Sequence, residues 1–300
     1  MEMERILALV DGVFIAGNAT ITQRTHEEDG APYGVWDIET GEKKYILKQA
    51  KGNEREIYRA VLSGFPESVP ALYQVMEEAE NTYLLMEYVQ GEDLCRCSRD
   101  KLTKVLDALI WLQKNTWESR EFDNVGLSFE KSRQQRQNRG SYLRDALLEE
   151  AYGQFLRMYD AVPKALCHDD LLPFNVIVSE EKAVLIDWEV AGMLPYPTSF
   201  ARLIAHTEEK ADALFFMTQA DKEFAIDYYY EHLLKEKGVS YRDWRNTLEY
   251  FLFYEYCEWV FVGHKYDATD GEYFQKYLPI AKGQAEKLLE MGKGEGKWLV

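Results

Sequence analysis

The chain predicts an α+β fold of two unequal lobes, a small β-rich one first and a larger, mainly helical one after it. β-Branched and aromatic runs separated by turn residues fill the stretch from Ala19 to Val89, and apolar side chains at helical spacing dominate from Lys101 onward. Two short apolar runs of β type, Val176-Ile-Val178 and Val184-Leu-Ile186, interrupt the helical part. At 300 residues the chain exceeds an ordinary single-domain length, which gives both lobes material for a core. The boundary is expected near residue 90, with lobes of 1–90 and 91–300.

Each element has a local reason. Ala19 to Thr25 is rich in β-branched residues and predicts a strand. His26 to Gly34 is polar and carries Gly30, Pro32 and Gly34, so it predicts a loop; Val35 to Ile38 resumes the strand pattern and Thr40-Gly41 turns it. Lys44 to Lys48 closes a three-strand meander on a lysine. Asn53 to Leu62 has helix-forming residues, an N-cap candidate in Asn53 and a stop at Ser63-Gly64. Asn81 to Val89 reads as a buried strand, with Gln90 to Asp93 turning after it. Leu102, Val105, Leu106, Leu109 and Leu112 predict an amphipathic helix over 101–115. Trp117 to Arg139 is polar and is expected as a surface loop or short helical insertion; Ser141 to Tyr159 and the aromatic-rich stretch beyond Ile204 are expected to be helical. Gly292 to Lys297 should fray.

Composition narrows the function. The 35 Lys and Arg against 52 Asp and Glu, a formal charge of −17, argue against nucleic acid or an anionic membrane as the main partner and suit a cationic small molecule, though the same charge equally serves solubility alone. Cys95, Cys97, Cys167 and Cys257 form no Cys-x-x-Cys pair and have no His at zinc spacing, so free thiols are expected. Met1 to Arg5 begins acidic without an apolar stretch of signal length, and Tyr250 to Val262 is broken by Glu255 and Glu258. A cytoplasmic protein, not bound to membrane, is the expectation.

The most informative segment is Cys167-His-Asp-Asp-Leu-Leu-Pro-Phe-Asn175-Val-Ile-Val178, followed by Val184-Leu-Ile-Asp-Trp-Glu189. Three short polar side chains, Asp170, Asn175 and Asp187, are punctuated by strand-forming runs, so a loop and a hairpin end can gather hard oxygen ligands on one side of a nucleotide. Protein-kinase-type sites hold Mg²⁺ with a loop Asn and an Asp after a strand, while an Asp five residues before that Asn takes the acceptor hydroxyl proton. Asp170 and Asn175 have that spacing. Lys48, ending the third strand of a meander, can reach the α and β phosphates.

On these residues the sequence resembles the aminoglycoside phosphotransferase and choline kinase family, the small-molecule branch of the protein-kinase-like fold, for which His-x-Asp-x-x-x-x-Asn and Ile-Asp-Trp-Glu are signatures. The resemblance implies transfer of the γ-phosphoryl group of ATP, with GTP not excluded, to a hydroxyl of a small acceptor. It implies Asp170 as base, His168 as a strut of the catalytic loop, Asn175 and Asp187 as Mg²⁺ ligands, and Glu56, or else Glu54, as the anion that holds Lys48. The backbones of Glu87 and Val89 would face the adenine at the hinge, and Glu27 to Gly34 would lie over the triphosphate, though its three acids suit phosphates poorly. Asp169 stands where the family usually has Gly, which implies that the backbone there need not have positive φ. Ser199 stands where members often carry an Asp, which puts the usual support of the catalytic loop in doubt. Trp188 and Glu189 are expected to be structural, with Glu189 a candidate neighbour of the metal.

Glu255 and Glu258 share a helix face amid Tyr254, Tyr256 and Trp259. Carboxylates with aromatic rings suit an amine-bearing acceptor, an aminoglycoside first and choline or ethanolamine as the alternative; the same pattern also fits a plain acidic stripe over an aromatic core. A nucleotide-binding pseudokinase is the reading from a different class.

Overall fold

A computed structural model describes residues 19–25, 30–41 and 43–294, together with Ile6 and Leu9. Strands β1 (Ala19–Thr25), β2 (Pro32–Thr40), β3 (Lys43–Gln49), β4 (Leu72–Glu78) and β5 (Asn81–Glu87) form one antiparallel sheet in the order β1-β2-β3-β5-β4. The expected meander is present, and β4, which the sequence reading passed over, completes the sheet at its far edge beside β5. Period-two alternation gives the sheet two apolar faces. Trp36, Ile38, Leu47, Tyr83 and Leu85 pack together on one; Leu84 and Met86 on the other join the main core.

Helix α1 (Glu54–Ala60) docks on that second face through Ile57 and Tyr58, which are fully buried within the main core cluster. Asn53 precedes α1 but its side chain makes no capping bond; its backbone N–H instead donates to the Glu189 carbonyl at 2.9 Å, tying the sheet lobe to the hairpin region. That contact needs Gly52. With φ of +50°, a Cβ there would stand 2.4 Å from the Glu189 carbonyl oxygen.

The rest is helical: α2 (Arg99–Thr116), α3 (Phe129–Gly140), α4 (Ala146–Ala161), α5 (Pro197–Ala205), α6 (Gln219–Tyr229), α7 (Tyr241–Lys265) and α8 (Glu272–Gly294). Side chains that compete with the backbone start several of them: Ser98, Ser128, Asp145 and Ser240 each accept a first-turn N–H. Of the polar stretch from Trp117 to Arg139, the part from Phe129 onward is a regular helix, and its polarity has a structural use described below. Gly292 to Gly294 close α8 rather than fray, while the remaining expected tail, residues 295–297, lies outside the described residues. Among the described residues no helix is long and apolar enough to cross a membrane.

Two small antiparallel pairs sit between the lobes. Strand β6 (Lys164–Cys167) pairs with β9 (Gly192–Pro195), and β7 (Val176–Val178) pairs with β8 (Ala183–Leu185). They hold the loop 168–175 and the turn at Asp187 against α1, α3 and α5.

Candidate active site

The loop after β6 is fixed by its own buried histidine. The His168 side chain is fully buried against Trp188, with ring centroids 4.7 Å apart, and its Nε2 lies 2.6 Å from the Ile186 carbonyl. Facing a carbonyl, Nε2 is the protonated nitrogen. Burial pushes the imidazole down to about 4, so it is a neutral donor that ties the loop to the residue before Asp187. Its backbone N–H donates to Ser199 Oγ at 2.8 Å from α5. The support expected to be missing with Ser199 is thus present: a hydroxyl accepts the bond.

Asp169 has φ of +61°, so the backbone is left-handed after all and an Asp occupies it in place of a glycine. Its carboxylate pairs with Arg136 of α3, a guanidinium that is itself buried. The two adjacent aspartates differ in burial: the Asp169 side chain is 14 % exposed in its pair with Arg136, whereas the Asp170 side chain, paired with Arg202, remains 41 % exposed.

Asn175 is 4 % exposed and its Nδ2 donates to the Asp170 carbonyl at 2.7 Å. The amide orientation follows, and Oδ1 is the atom left for a cation. The Asn175 carbonyl accepts from Ile186 N–H at 3.0 Å, which places Asp187 beside it. Asp187 is another non-glycine residue with positive φ, +70°. Lys48 Nζ crosses from β3 to donate to Asp187 Oδ1 and Glu54 Oε1, each at 2.6 Å. Burial opposes the charge on Lys48, but the two carboxylates outweigh it and raise its pKa; for Asp187 the lysine likewise outweighs burial and the pKa falls. Glu54, fully buried, goes the other way because desolvation exceeds what Lys48 returns.

The partner of Lys48 is therefore Glu54 and not Glu56, which is exposed on the far side of α1. Helical geometry decides this. Ile57 and Tyr58 fix the buried face, and the residue three before Ile57 shares it, whereas Glu56 is rotated away.

A cavity of about 210 Å³ opens beside these groups, lined by Ile46, Met86, Ile177 and Ile186 and bordered by Glu87, Tyr88 and Val89. The Glu87 N–H donates to the Ala71 carbonyl at 2.9 Å, so only its carbonyl can face the cavity. Of the loop expected over the phosphates, Glu27, Glu28 and Asp29 lie outside the described residues.

On the other side of the loop lies a cleft of about 890 Å³, in which Asp170, Glu255 and Glu258 all take part. The two glutamates are not free for an ammonium group. Arg202 of α5 donates through Nη1 to Glu255 at 2.9 Å and to Glu258, and through Nε and Nη2 to Asp170 Oδ1 at 3.0 and 2.8 Å. Glu255 is 3 % exposed, and although burial opposes its charge, Arg202 keeps its pKa below the ordinary value. Burial raises Asp170 to about 6, with Arg202 pulling back and the two glutamates pushing up. His206, Glu255 and Glu258 have ligand atoms within 4.8 Å of one another, but Arg202 sits among them, 3.3 Å from His206 Nε2.

With this geometry in place the similarities to known proteins can be read. Residues 28–232 match the family described as "Phosphotransferase enzyme family". The chain belongs to that family. It is a small-molecule phosphotransferase with the two-lobed kinase-like fold. Solved structures share the fold at low identity: a choline kinase from Cryptosporidium parvum Iowa II (13 % identity, 97 % of this chain and 97 % of that one, TM-score 0.64) and the choline kinase LicA of Streptococcus pneumoniae (17 %, 96 % and 100 %, 0.60). An aminoglycoside phosphotransferase from Streptomyces rimosus, solved with ADP and streptomycin, matches at 16 % identity over 85 % of this chain and 98 % of that one, TM-score 0.56. No curated protein sequence matches the chain.

Asn175 Oδ1 and the Asp187 carboxylate, 43 % exposed, are hard oxygen donors set beside the Lys48 ammonium, a donor set that fits Mg²⁺. The sequence-derived residues Lys48, Asp170, Asn175 and Asp187 converge as expected. Arg136 and Arg202 were missed, although Arg202 stands three residues after Ser199, on the same face of one helix, and could have been found from that spacing.

Proposed function

We propose that the protein transfers the γ-phosphoryl group of ATP to a hydroxyl of a small molecule, with Asp170 as the base. The observation that carries the reading is the pairing of Lys48 with both Glu54 and Asp187 across the lobes, one loop away from Asp170. The acceptor oxygen bonds to the γ-phosphorus as the bond to the ADP oxygen breaks, and the hydroxyl proton passes to an Asp170 carboxylate oxygen. Lys48, steadied by buried Glu54, meets the α and β phosphates. Adenine lies in the cavity under β5, read by the Glu87 carbonyl and the Val89 N–H. Asn175 and Asp187 hold Mg²⁺, which offsets phosphate charge when bound. Arg202 fixes the Asp170 carboxylate by two donors to one oxygen, leaving the other oxygen toward the cleft.

An aminoglycoside-like or choline-like acceptor was expected from Glu255 and Glu258, and that support weakens with both glutamates on Arg202. The pseudokinase reading drew on the acidic loop 27–29 and on Ser199, and the second support weakens because Ser199 Oγ accepts from the His168 N–H. The test is acceptor-dependent ADP release in a panel of hydroxyl compounds with ATP and GTP. Asp170→Asn should lower kcat on the order of a hundredfold or more while leaving nucleotide affinity in place. Calorimetry should show Mg²⁺-dependent ATP binding that Asp187→Ala removes; equal affinities in the two proteins would overturn the reading.

A further inference from the structure

The acceptor cleft has an outer wall whose charge runs against the rest of the molecule. In a chain of formal charge −17, Lys131 and Arg139 from α3 and Lys265 from α7 line the same cleft. Phe261 gathers two of them: the Arg139 guanidinium lies 5.5 Å and the Lys265 ammonium 5.1 Å from its ring centroid, and Tyr142 meets the same ring edge-on at 5.5 Å. Both cations thus lie against one ring, whose attraction is small at an open surface. Arg139 has a donor bond to Tyr254 Oη at 2.7 Å and a distant Glu258 oxygen at 3.7 Å. Lys265 has a second ring, Tyr266, at 5.0 Å; among the described residues neither it nor Lys131 has a carboxylate partner. Gln135 and Asn138 add amide groups to the same α3 face.

The carboxylates of the cleft are placed differently. Asp169 is engaged by Arg136, Asp170, Glu255 and Glu258 share Arg202, and Glu189 meets Asn53 through its backbone carbonyl. The acids around Asp170 are thus held by arginines, while among the described residues Lys131 and Lys265 line the same cleft without a carboxylate partner and Arg139 has the Glu258 oxygen at 3.7 Å.

We propose that the acceptor is a hydroxyl compound bearing an anionic group, a phosphate or a carboxylate, which seats on Arg139 and Lys265 with Lys131 beside them while its hydroxyl reaches Asp170. This rests on the kinase reading above and adds the substrate class. An anion there takes charge-assisted hydrogen bonds from Arg139, Lys265 and the Tyr142 hydroxyl. It also explains why α3 is a polar helix at a cleft rather than a solvent loop.

The experiment titrates the full chain, loaded with Mg²⁺ and ADP, by calorimetry with glycerol 3-phosphate, gluconate, glycerol, choline and streptomycin, in parallel with acceptor-dependent ADP release from ATP. One or both anions should bind, the phosphate and carboxylate arms telling which group is preferred, and glycerol should bind far more weakly. Arg139→Gln and Lys265→Glu should each weaken anion binding about tenfold or more, and raised salt should weaken it in the wild type. Lys131→Glu, at an exposed position, keeps the test open if a Phe261-packed variant fails to fold. Absence of anion binding, tighter binding of choline or streptomycin, or anion affinity unchanged by the charge reversals overturns the proposal; the last outcome assigns the anion to the phosphate end of the nucleotide site. Failure of Mg²⁺–ADP itself to bind instead removes the kinase reading, whatever the anions do.

Discussion

Lys48 bridges Glu54 and Asp187 by two ion pairs of 2.6 Å, and Asn175 donates one hydrogen bond of 2.7 Å to the Asp170 carbonyl, whereas on the acceptor side one guanidinium serves three carboxylates from two separated stretches of chain. The first arrangement is open to a nucleotide: Asp187 is 43 % exposed, and its lysine partner has a buried glutamate to hold it in either state. The second is closed. Arg202 binds three carboxylates at once, and Asp170, the proposed base, is presented by that assembled network. One side of the site is therefore built to exchange partners on binding and the other to stay as it is.

The largest effect expected from this contrast is on Arg202. Arg202→Met strands Glu255, 3 % exposed, together with Glu258 and Asp170, and should lower unfolding free energy by about 3–5 kcal/mol, the cost of a broken buried pair. Combining it with Glu255→Gln and Glu258→Gln should recover most of the loss, because the uncompensated charges go with it. Denaturant unfolding of the single and triple variants checks this. A single variant as stable as the wild type would mean the acceptor side is not held by this guanidinium.

The hinge between the two sides is His168, and pH reads it. Its folded pKa of about 4 lies below the unfolded value near 6.5, so the unfolded chain binds the extra proton in that window. The stability owed to the neutral imidazole is complete above pH 6.5 and is lost as pH falls toward 4, about 3 kcal/mol in all. His168→Gln keeps a donor for the Ile186 carbonyl and should flatten the slope between pH 7 and 4.5. Equal slopes in both proteins would sink the assignment.

How much of this was legible follows the same division. The meander, Lys48, Asp170, Asn175 and Asp187 could be read because each is set by a strand end or by a spacing of five residues within one loop. The Glu54 partner needed only the rotation of α1 fixed by Ile57 and Tyr58, information present in the sequence but overridden by likeness to a pattern. Strand β4 was hidden because Leu72-Tyr-Gln-Val-Met-Glu-Glu78 mixes half-exposed residues without clean alternation, as an edge strand does. The roles of Glu255 and Glu258 could not be read at all. An acidic pair on a helix looks the same whether it awaits a ligand or an arginine 53 residues away, and only the packing of α5 on α7 decides.

On the nucleotide side the sharpest comparison is between two adjacent carboxylates of α1. Glu54→Gln leaves the Lys48 head without its buried anion and should lower kcat/KM for ATP on the order of ten- to a hundredfold, while Glu56→Gln, at an exposed position, should stay within about twofold of the wild type. Steady-state kinetics with any acceptor found above suffices. The reverse ranking would restore the sequence expectation and mean that α1 rotates when nucleotide binds.

The smallest effect should come from Ser199, and its size relative to Arg202 is the point, since the two stand on one face of α5. Ser199 is fully buried and its Oγ accepts from the backbone N–H of His168, at 2.8 Å. Ser199→Ala removes one neutral acceptor and leaves one buried N–H unmet, about 1–2 kcal/mol, with no charge exposed or stranded. The loop keeps its second tie, from His168 Nε2 to Ile186, so kcat should fall by no more than about tenfold. Unfolding free energy and kcat measured together separate the cases. A loss as large as that of Arg202→Met would mean that the loop, rather than the charge network beside it, is what holds Asp170 in place.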